Sequence, residues 1–273
     1  MKNSEPVHII HCYFERLIKY AEQMKKGFQE EAIHLFRVEV KKLRAFMRMM
    51  RPAAEVQDQL KFPRKFKKMY SLTGNIRDRQ LCLKRIKEHN KAKDSRFENK
   101  VHTLEKEIKE LAEKRDYFLT KKEFEEIEEN IIKQVPVVSE DALIKKFFEQ
   151  KLNVINKVIS KGDYKDKELH SIRKSVKDII YIMRIFRDDL KGPLPFPFWN
   201  EAELKKAENL SHTLGLFNDA CIALSFLEPA QIKKAGTGEK EHLQSVRRKW
   251  LGEKQKLKKE ILNEMPAIKL NMR

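Results

Sequence analysis

The segment His34-Leu-Phe-Arg37-Val-Glu-Val40-Lys41-Lys-Leu43-Arg44-Ala-Phe-Met47-Arg48 returns later in the chain as His170-Ser-Ile-Arg173-Lys-Ser-Val176-Lys177-Asp-Ile179-Ile180-Tyr-Ile-Met183-Arg184. His, Arg, Val, Lys, Met and Arg recur at identical spacing, and a second element follows each copy, Gly74-Asn-Ile-Arg-Asp78 and then Gly215-Leu-Phe-Asn-Asp219. From His to Asp is 44 residues in the first copy and 49 in the second, the extra length falling at the Gly192-Pro-Leu-Pro-Phe-Pro197 run. Two linked elements in the same order are hard to produce by chance and define an internal duplication. The chain must therefore fold as two similar halves, 1–134 and 140–273, joined at Lys133-Gln-Val-Pro-Val-Val-Ser139.

Both halves read as helical. Apolar residues at a 3.6-residue period predict helices over 5–26, 29–51, 62–90, 96–117, 121–134, 140–160, 167–189, 198–228 and 239–263. Ser95-Arg-Phe-Glu98 and Thr120-Lys-Lys-Glu123 have the form of capping boxes. Breaks fall at Gly27, Pro52, Pro63, Pro136, Gly162, the Gly192–Pro197 run and Gly236-Thr-Gly238. With only 8 Gly and 9 Pro in 273 residues, and much Lys, Glu, Leu and Ile, the fold class is all-α. Cys12, Cys82 and Cys221 lie far apart with no CxxC pair, which argues against a disulfide framework or zinc ribbon and fits a reducing compartment. No signal-length apolar leader and no membrane-spanning apolar run is found, so a soluble, cytoplasmic protein is expected.

On a helix, His34, Arg37, Lys41, Arg44, Arg48 and Arg51 fall within an arc of roughly 100°. Leu35, Phe36, Val40, Leu43, Phe46, Met47 and Met50 face the other way, with Glu39 as the one poor fit. The second copy opposes His170, Arg173, Lys177, Arg184 and Arg187 to Ile172, Val176, Ile179, Ile182, Met183 and Phe186. Most charged helix faces are simply solvated. Such faces usually mix signs, because like pairs at i,i+4 cost roughly 0.2–0.5 kcal/mol each. No acid interleaves the first ladder, and the ladder occurs twice.

Charge is also sorted along the chain. Residues 34–51 carry a net +5, residues 61–91 a net +9 and residues 97–132 a net −4, against +18 for the whole. This predicts acidic helices outside and basic helices lining a groove that a polyanion neutralises. Arg holds two phosphate oxygens in a planar fork and Lys supplies compact charge, so phosphate suits the ladder. One cation per turn gives a repeat of about 5.4 Å, close to that of a linear polyanion. His34 and His170 have two open readings, phosphate donors that gain charge as pH falls or neutral polar groups at helix contacts. Asp78 and Asp219 read as structural, orienting Arg side chains. Gly74 and Gly215 read as sites of close helix approach.

These elements resemble the CHAD family, whose pattern is a His-x-x-Arg-x-x-x-(Lys/Arg)-x-x-Arg helix followed by Leu-Gly-x-x-(Arg/Asn)-Asp, each occurring twice. His34, Arg37, Lys41 and Arg44 match the first copy, followed by Thr73-Gly74-Asn-Ile-Arg77-Asp78 with Thr in place of Leu. His170, Arg173 and Lys177 match the second, followed by Leu214-Gly215-Leu-Phe-Asn218-Asp219. The resemblance implies two four-helix bundles related by a pseudo-twofold, with basic helices lining a central cavity. It also implies binding of inorganic polyphosphate and association with polyphosphate granules in cells that make them. Ile180 departs from the family's Arg, while Tyr181 keeps its aromatic, so the N-terminal half is expected to contribute more.

The expected phosphate-binding residues are His34, Arg37, Lys41, Arg44, Arg48, Lys65, Arg77, His170, Arg173, Lys177, Arg184 and Lys206. Lys65 and Lys206 are included because each stands 13 residues before a repeated Asp. A binding function without cofactor, metal or catalytic residues is expected. A metal-assisted phosphohydrolase acting on polyphosphate or nucleotides is the first alternative. Its only signature is Glu105-Lys-Glu107-Ile-Lys109, inside a helical, charge-mixed stretch where i and i+2 point apart. General polyanion or nucleic-acid binding is the second alternative, and no recognised nucleic-acid-binding motif accompanies the charge.

Overall fold

The structure is a computed structural model, and it describes residues 4–51, 60–89, 97–136, 140–162, 164–191, 200–233 and 235–265. The helices are α1 (Ser4–Lys25), α2 (Glu30–Met50), α3 (Arg64–His89), α4 (Glu98–Ala112), α5 (Lys121–Ile132), α6 (Glu140–Lys161), α7 (Asp166–Arg184), α8 (Glu201–Ser225), α9 (Pro229–Ile232) and α10 (Thr237–Glu264). A short 3-10 turn, Arg115–Tyr117, follows α4 and ends it earlier than its apolar period suggests. No strand occurs among the described residues. Pro52, Ser95 and the Gly192–Pro197 run lie outside them. The N-cap of α4 is Phe97, and no side chain caps it.

The predicted box at Thr120 is present: the Glu123 amide donates to Thr120 Oγ1 at 3.2 Å and the Thr120 amide to Glu123 Oε2 at 2.8 Å. Asn200 caps α8 in the same way, accepting from the Glu203 amide at 3.0 Å. Gly27 (φ 142°) and Gly162 (φ 63°) end α1 and α6 in backbone conformations that favour glycine. The period predicted for α7 runs to residue 189, but its last five residues, Ile185–Asp189, widen into a π-turn. This turn sets Asp189 against α1, where it accepts from Tyr13 Oη and the Arg16 guanidinium, both at 2.8 Å.

Two runs of helices pack in sequence. The first runs α1 on α2, α2 on α3 and α3 on α4, with α5 closing on α1; the second runs α6 on α7, α7 on α8 and α8 on α10. Across the halves, α2 packs on α7 and α3 on α8. The four helices that carry the repeated motifs thus contact one another in a closed ring. One apolar cluster, including Phe14, Phe36, Val40, Met69, Ile155, Val176 and Leu210, extends through both halves. Within it Phe62 and Phe66 stack at 3.9 Å, and Phe124 meets Phe66 edge-on at 6.0 Å. A smaller cluster around Cys82, Ile86, Leu104, Leu227, Val246 and Trp250 joins the far ends of α3 and α8 through α4 and α10.

Two carboxylates hold the seams. Glu39, the poor fit on the apolar face of α2, is buried and accepts from Lys42 at 2.8 Å and Arg16 at 3.4 Å. Asp178 of α7 is buried too, and it takes Arg48 of α2 at 2.5 Å and Lys151 of α6 at 2.7 Å. In the repeat Asp178 stands where the first copy has Lys42, so the copies carry opposite charge there. Replacing Asp178 by Ala strands two cations in a largely buried seam. Because the Arg48 side chain stays 36% exposed, the cost is put below that of a fully buried pair, at about 2 kcal/mol. Chemical denaturation should show a lowered midpoint with an unchanged slope.

Candidate functional site: a cationic centre ringed by four helices

The ladder of α2 and that of α7 face each other across the ring. Lys41 is mostly buried, and its ammonium is pushed from 10.5 down to about 7, first by desolvation and then by Arg37, Arg173 and Lys177, with Asp219 opposing. Lys177 is lowered by burial, Arg173 and Arg184, again against Asp219. Arg44 is lowered by burial and by Arg48 and Arg37. Asp78 is raised by burial and by Asp219, while Arg37 and Lys41 hold it down. Side chains from α2, α3, α7 and α8 therefore share one electrostatic environment. It is strongly positive.

Within it the two copies differ. The Arg37 guanidinium lies over the Tyr70 ring at 4.4 Å, donates to the Tyr70 carbonyl at 2.7 Å and approaches Thr73 Oγ1 at 3.5 Å. Arg44 covers the same ring at 4.7 Å. Gly74 makes room for this clamp: a Cβ there would stand 2.7 Å from Arg37 Nη1. The close approach at Gly74 is thus to a side chain rather than to a neighbouring helix. At Gly215 close approach does not occur, since a Cβ would meet nothing within 4 Å. The residue equivalent to Tyr70 in the second copy is Ser211, which offers no ring. Arg173 is accordingly unclamped, with its Nε buried and unpartnered.

His34 and His170 head their ladders at the exposed rim. Both are pushed below the ordinary imidazole value, His34 by burial and the Arg77, Lys41 and Lys177 charges, His170 by burial and Lys174. Charging them takes more acid than charging a free imidazole. His170 Nδ1 lies 3.2 Å from Asn218 Oδ1. Arg77 is paired with Glu30 at 2.5 Å, Arg48 with Asp178, and Arg184 with Glu208 at 2.7 Å. Ile180, opposite in sense to Arg44, is buried.

Lys65 and Lys206 stand apart from this group. Lys65 is exposed and paired with Glu123 of α5, and Lys206 pairs with Glu203 of its own helix at 2.7 Å. Thirteen residues of helix leave each about 140° around the axis from its Asp, which accounts for their outward placement. Much of the charge of α3 is likewise turned outward: Arg79 meets Glu107 at 2.6 Å, Lys87 meets Glu105 at 2.7 Å and Arg85 meets Glu253 at 2.5 Å. The carboxylates of the Glu-x-Glu-x-Lys stretch are those partners of α3. A cavity of about 560 Å³ beside α4 and α9 has lining of both signs, with Arg79 answered by Glu107. The sequence reading missed Tyr70 and Asp178. For Asp178 the signal was the charge reversal against Lys42.

The helices that carry the repeated motifs thus form an all-helical ring around a centre rich in Arg and Lys. The sequence pattern of the CHAD domain matches residues 8–228, and the chain belongs to the CHAD domain family. Its fold is similar to the crystal structure of the CHAD domain from the plant Ricinus communis, with a TM-score of 0.74 at 14% identity, covering 98% of this chain and 92% of that one. No curated protein matches the sequence.

Two predictions follow from the clamp and from Lys41. Gly215→Ala should stabilise the protein by about 0.5–1 kcal/mol by helix propensity. Gly74→Ala should lose that gain, because it displaces a charged hydrogen bond of roughly 1.5–3 kcal/mol; paired thermal melts compare them. Between pH 7 and 10.5 the unfolded chain keeps the Lys41 proton that the folded chain has released. Stability contributed by this group therefore rises with pH across that window, and Lys41→Met should flatten the rise in melts at successive pH values.

Proposed function

We propose that this chain binds inorganic polyphosphate in the cationic centre of the ring without chemically altering it, and that it is drawn to polyphosphate granules where cells form them. The observation that carries this reading is Lys41 with Lys177, Arg37 and Arg173. Like charges from both halves are held together by folding and only partly answered by Asp78 and Asp219. Such a site is relieved by a ligand of dense, repeating negative charge. Polyphosphate has one charge or more per phosphoryl group and no bases to accommodate.

Nucleic acid is less well suited. Single-strand binders offer aromatic faces to bases, whereas Tyr181 is buried and the Tyr70 ring is covered by Arg37 and Arg44. For a phosphohydrolase, Glu105 and Glu107 would have to leave their partners on α3. No helix among the described residues is long and apolar enough to cross a membrane.

Lys41→Met combined with Lys177→Met tests the reading. Calorimetric titration at near-physiological salt should show long-chain polyphosphate affinity reduced about 100-fold or more. The slope of log affinity against log salt should flatten by roughly 1.5. The variant's melting temperature should equal or exceed that of the parent, because repulsion is removed. Unchanged affinity in the folded variant rejects the site. Equal binding of single-stranded DNA reduces the claim to general polyanion affinity, and a shortened polymer on a gel reopens hydrolysis.

A further inference from the structure

Arg37 and Arg44 stand seven residues apart on α2, so their Cα atoms are separated by about 10 Å along the helix axis. Their heads nevertheless come to one phenol: the Arg37 guanidinium lies 4.4 Å from the centre of the Tyr70 ring and that of Arg44 4.7 Å. Two like charges gathered at one spot repel each other. An aromatic ring, with its negative face, is a neutral group that attracts both. Arg44 is also 6.0 Å from Phe62, at the outer limit of such a contact. Tyr70 is the ring that the two cations have in common.

Arg37 is held from a second direction as well. Tyr70, Thr73 and Gly74 share one face of α3, at i, i+3 and i+4. The Tyr70 carbonyl accepts from Arg37 Nη1 at 2.7 Å and from the Thr73 hydroxyl at 3.0 Å. That hydroxyl, on a wholly buried residue, stands 3.5 Å from the same Nη1. Gly74 leaves the space that the guanidinium fills. Nη1 is one corner of a planar fork with several N–H donors, so a guanidinium fixed in this way still has donors to offer an anion. The second copy lacks these parts. Ser211 and Leu214 stand where the first copy has Tyr70 and Thr73, and both are buried. The cation over a ring there is Lys177, 6.0 Å from Tyr181.

We infer that Tyr70 is a positioning residue for anion binding, holding Arg37 and Arg44 side by side as a single clip for phosphoryl groups. The inference rests on the polyphosphate reading of the cationic centre. An Arg side chain that is free in the unliganded protein loses rotamer freedom when it takes up an anion, and that loss opposes binding. Arg37 and Arg44 are ordered on Tyr70 when the protein folds. Tyr70 acts through the two guanidiniums and adds no charge of its own. Its removal therefore weakens binding while the number of cations that meet the ligand stays the same.

The test titrates the full chain and its Tyr70→Leu and Tyr70→Phe variants with long-chain polyphosphate and with tripolyphosphate, calorimetrically and at several salt concentrations. Tyr70→Leu should bind long-chain polyphosphate about tenfold more weakly. Its slope of log affinity against log salt should equal that of the parent, because no cation is removed. Tyr70→Phe, which keeps the ring, should recover most of the loss. In a background of Arg37→Gln with Arg44→Gln, Tyr70→Leu should change affinity by less than about twofold. Unchanged affinity in folded Tyr70→Leu overturns the inference. A flattened salt slope also overturns it, since cations have then left the site and the role of Tyr70 is structural. The same holds if Tyr70→Phe is as weak as Tyr70→Leu, or if the tenfold loss persists in the background without the two arginines. Should Tyr70→Leu not fold, Arg37→Lys keeps the charge and loses the stacking plane. It should show a similar loss at an unchanged slope, and parental affinity in that variant overturns the inference. If long polyphosphate does not bind the parent while tripolyphosphate binds in a Tyr70-dependent way, the polymer reading falls and the positioning role stands. If long polyphosphate binds the parent and Tyr70→Leu alike, the polymer reading stands and the positioning role falls.

Discussion

Repulsion among cations at the meeting of α2, α3, α7 and α8 is the condition that the rest of the fold has to satisfy. Two unit charges about 6 Å apart at an effective dielectric near 20 repel by roughly 3 kcal/mol, and this centre gathers several. The cost shows in Lys41, which gives up its proton near neutrality. The opposing contributions come from outside the ring. The backs of α2 and α7 are buried in an apolar cluster common to both halves, and the far ends of α3 and α8 are clamped by a second cluster with Trp250 at its heart.

The acidic helices have a different task. Glu105, Glu107 and Glu123 meet cations on the outward faces of α3. Exposed pairs of this kind contribute little each, about 0–1 kcal/mol. Their effect is on orientation: they turn the surplus charge of α3 away from the ring, so the centre is positive but less so than the sum of its helices. Asp178 does the same for Arg48 at the seam. The result is graded, with some cations held by carboxylates and others, such as Arg173 with its unpartnered Nε, not.

The helices were legible in the sequence because their apolar period is set by burial on one side, and the observed bounds of α1, α2, α6 and α10 lie within a few residues of the periodic ones. The convergence of Lys41 with Lys177 could be anticipated from the repeat, since like faces on duplicated helices have one obvious place to meet. Lys65 and Lys206 do share one offset from Asp78 and Asp219, but thirteen residues of helix turn both about 140° away from those landmarks. The π-turn at Ile185–Asp189 left no mark in the apolar spacing, and what it serves, the contacts of Asp189 with Tyr13 and Arg16, involves residues far away in the chain. Gly74 and Gly215 look alike as letters, yet one makes room for a guanidinium and the other faces open space. Only the neighbouring Tyr70 or Ser211 tells them apart.

That difference has a kinetic side. Arg37 lost its rotamer freedom when the protein folded, fixed on Tyr70 before any ligand arrives. Arg173 makes no such contact with a ring, so on the proposed reading an anion on its side would have to order that side chain itself, at a cost in entropy. A duplicated site would thus hold an anion unequally in its two copies because of a single aromatic residue. A long anion bound as proposed would leave the second copy first, while the first still held it.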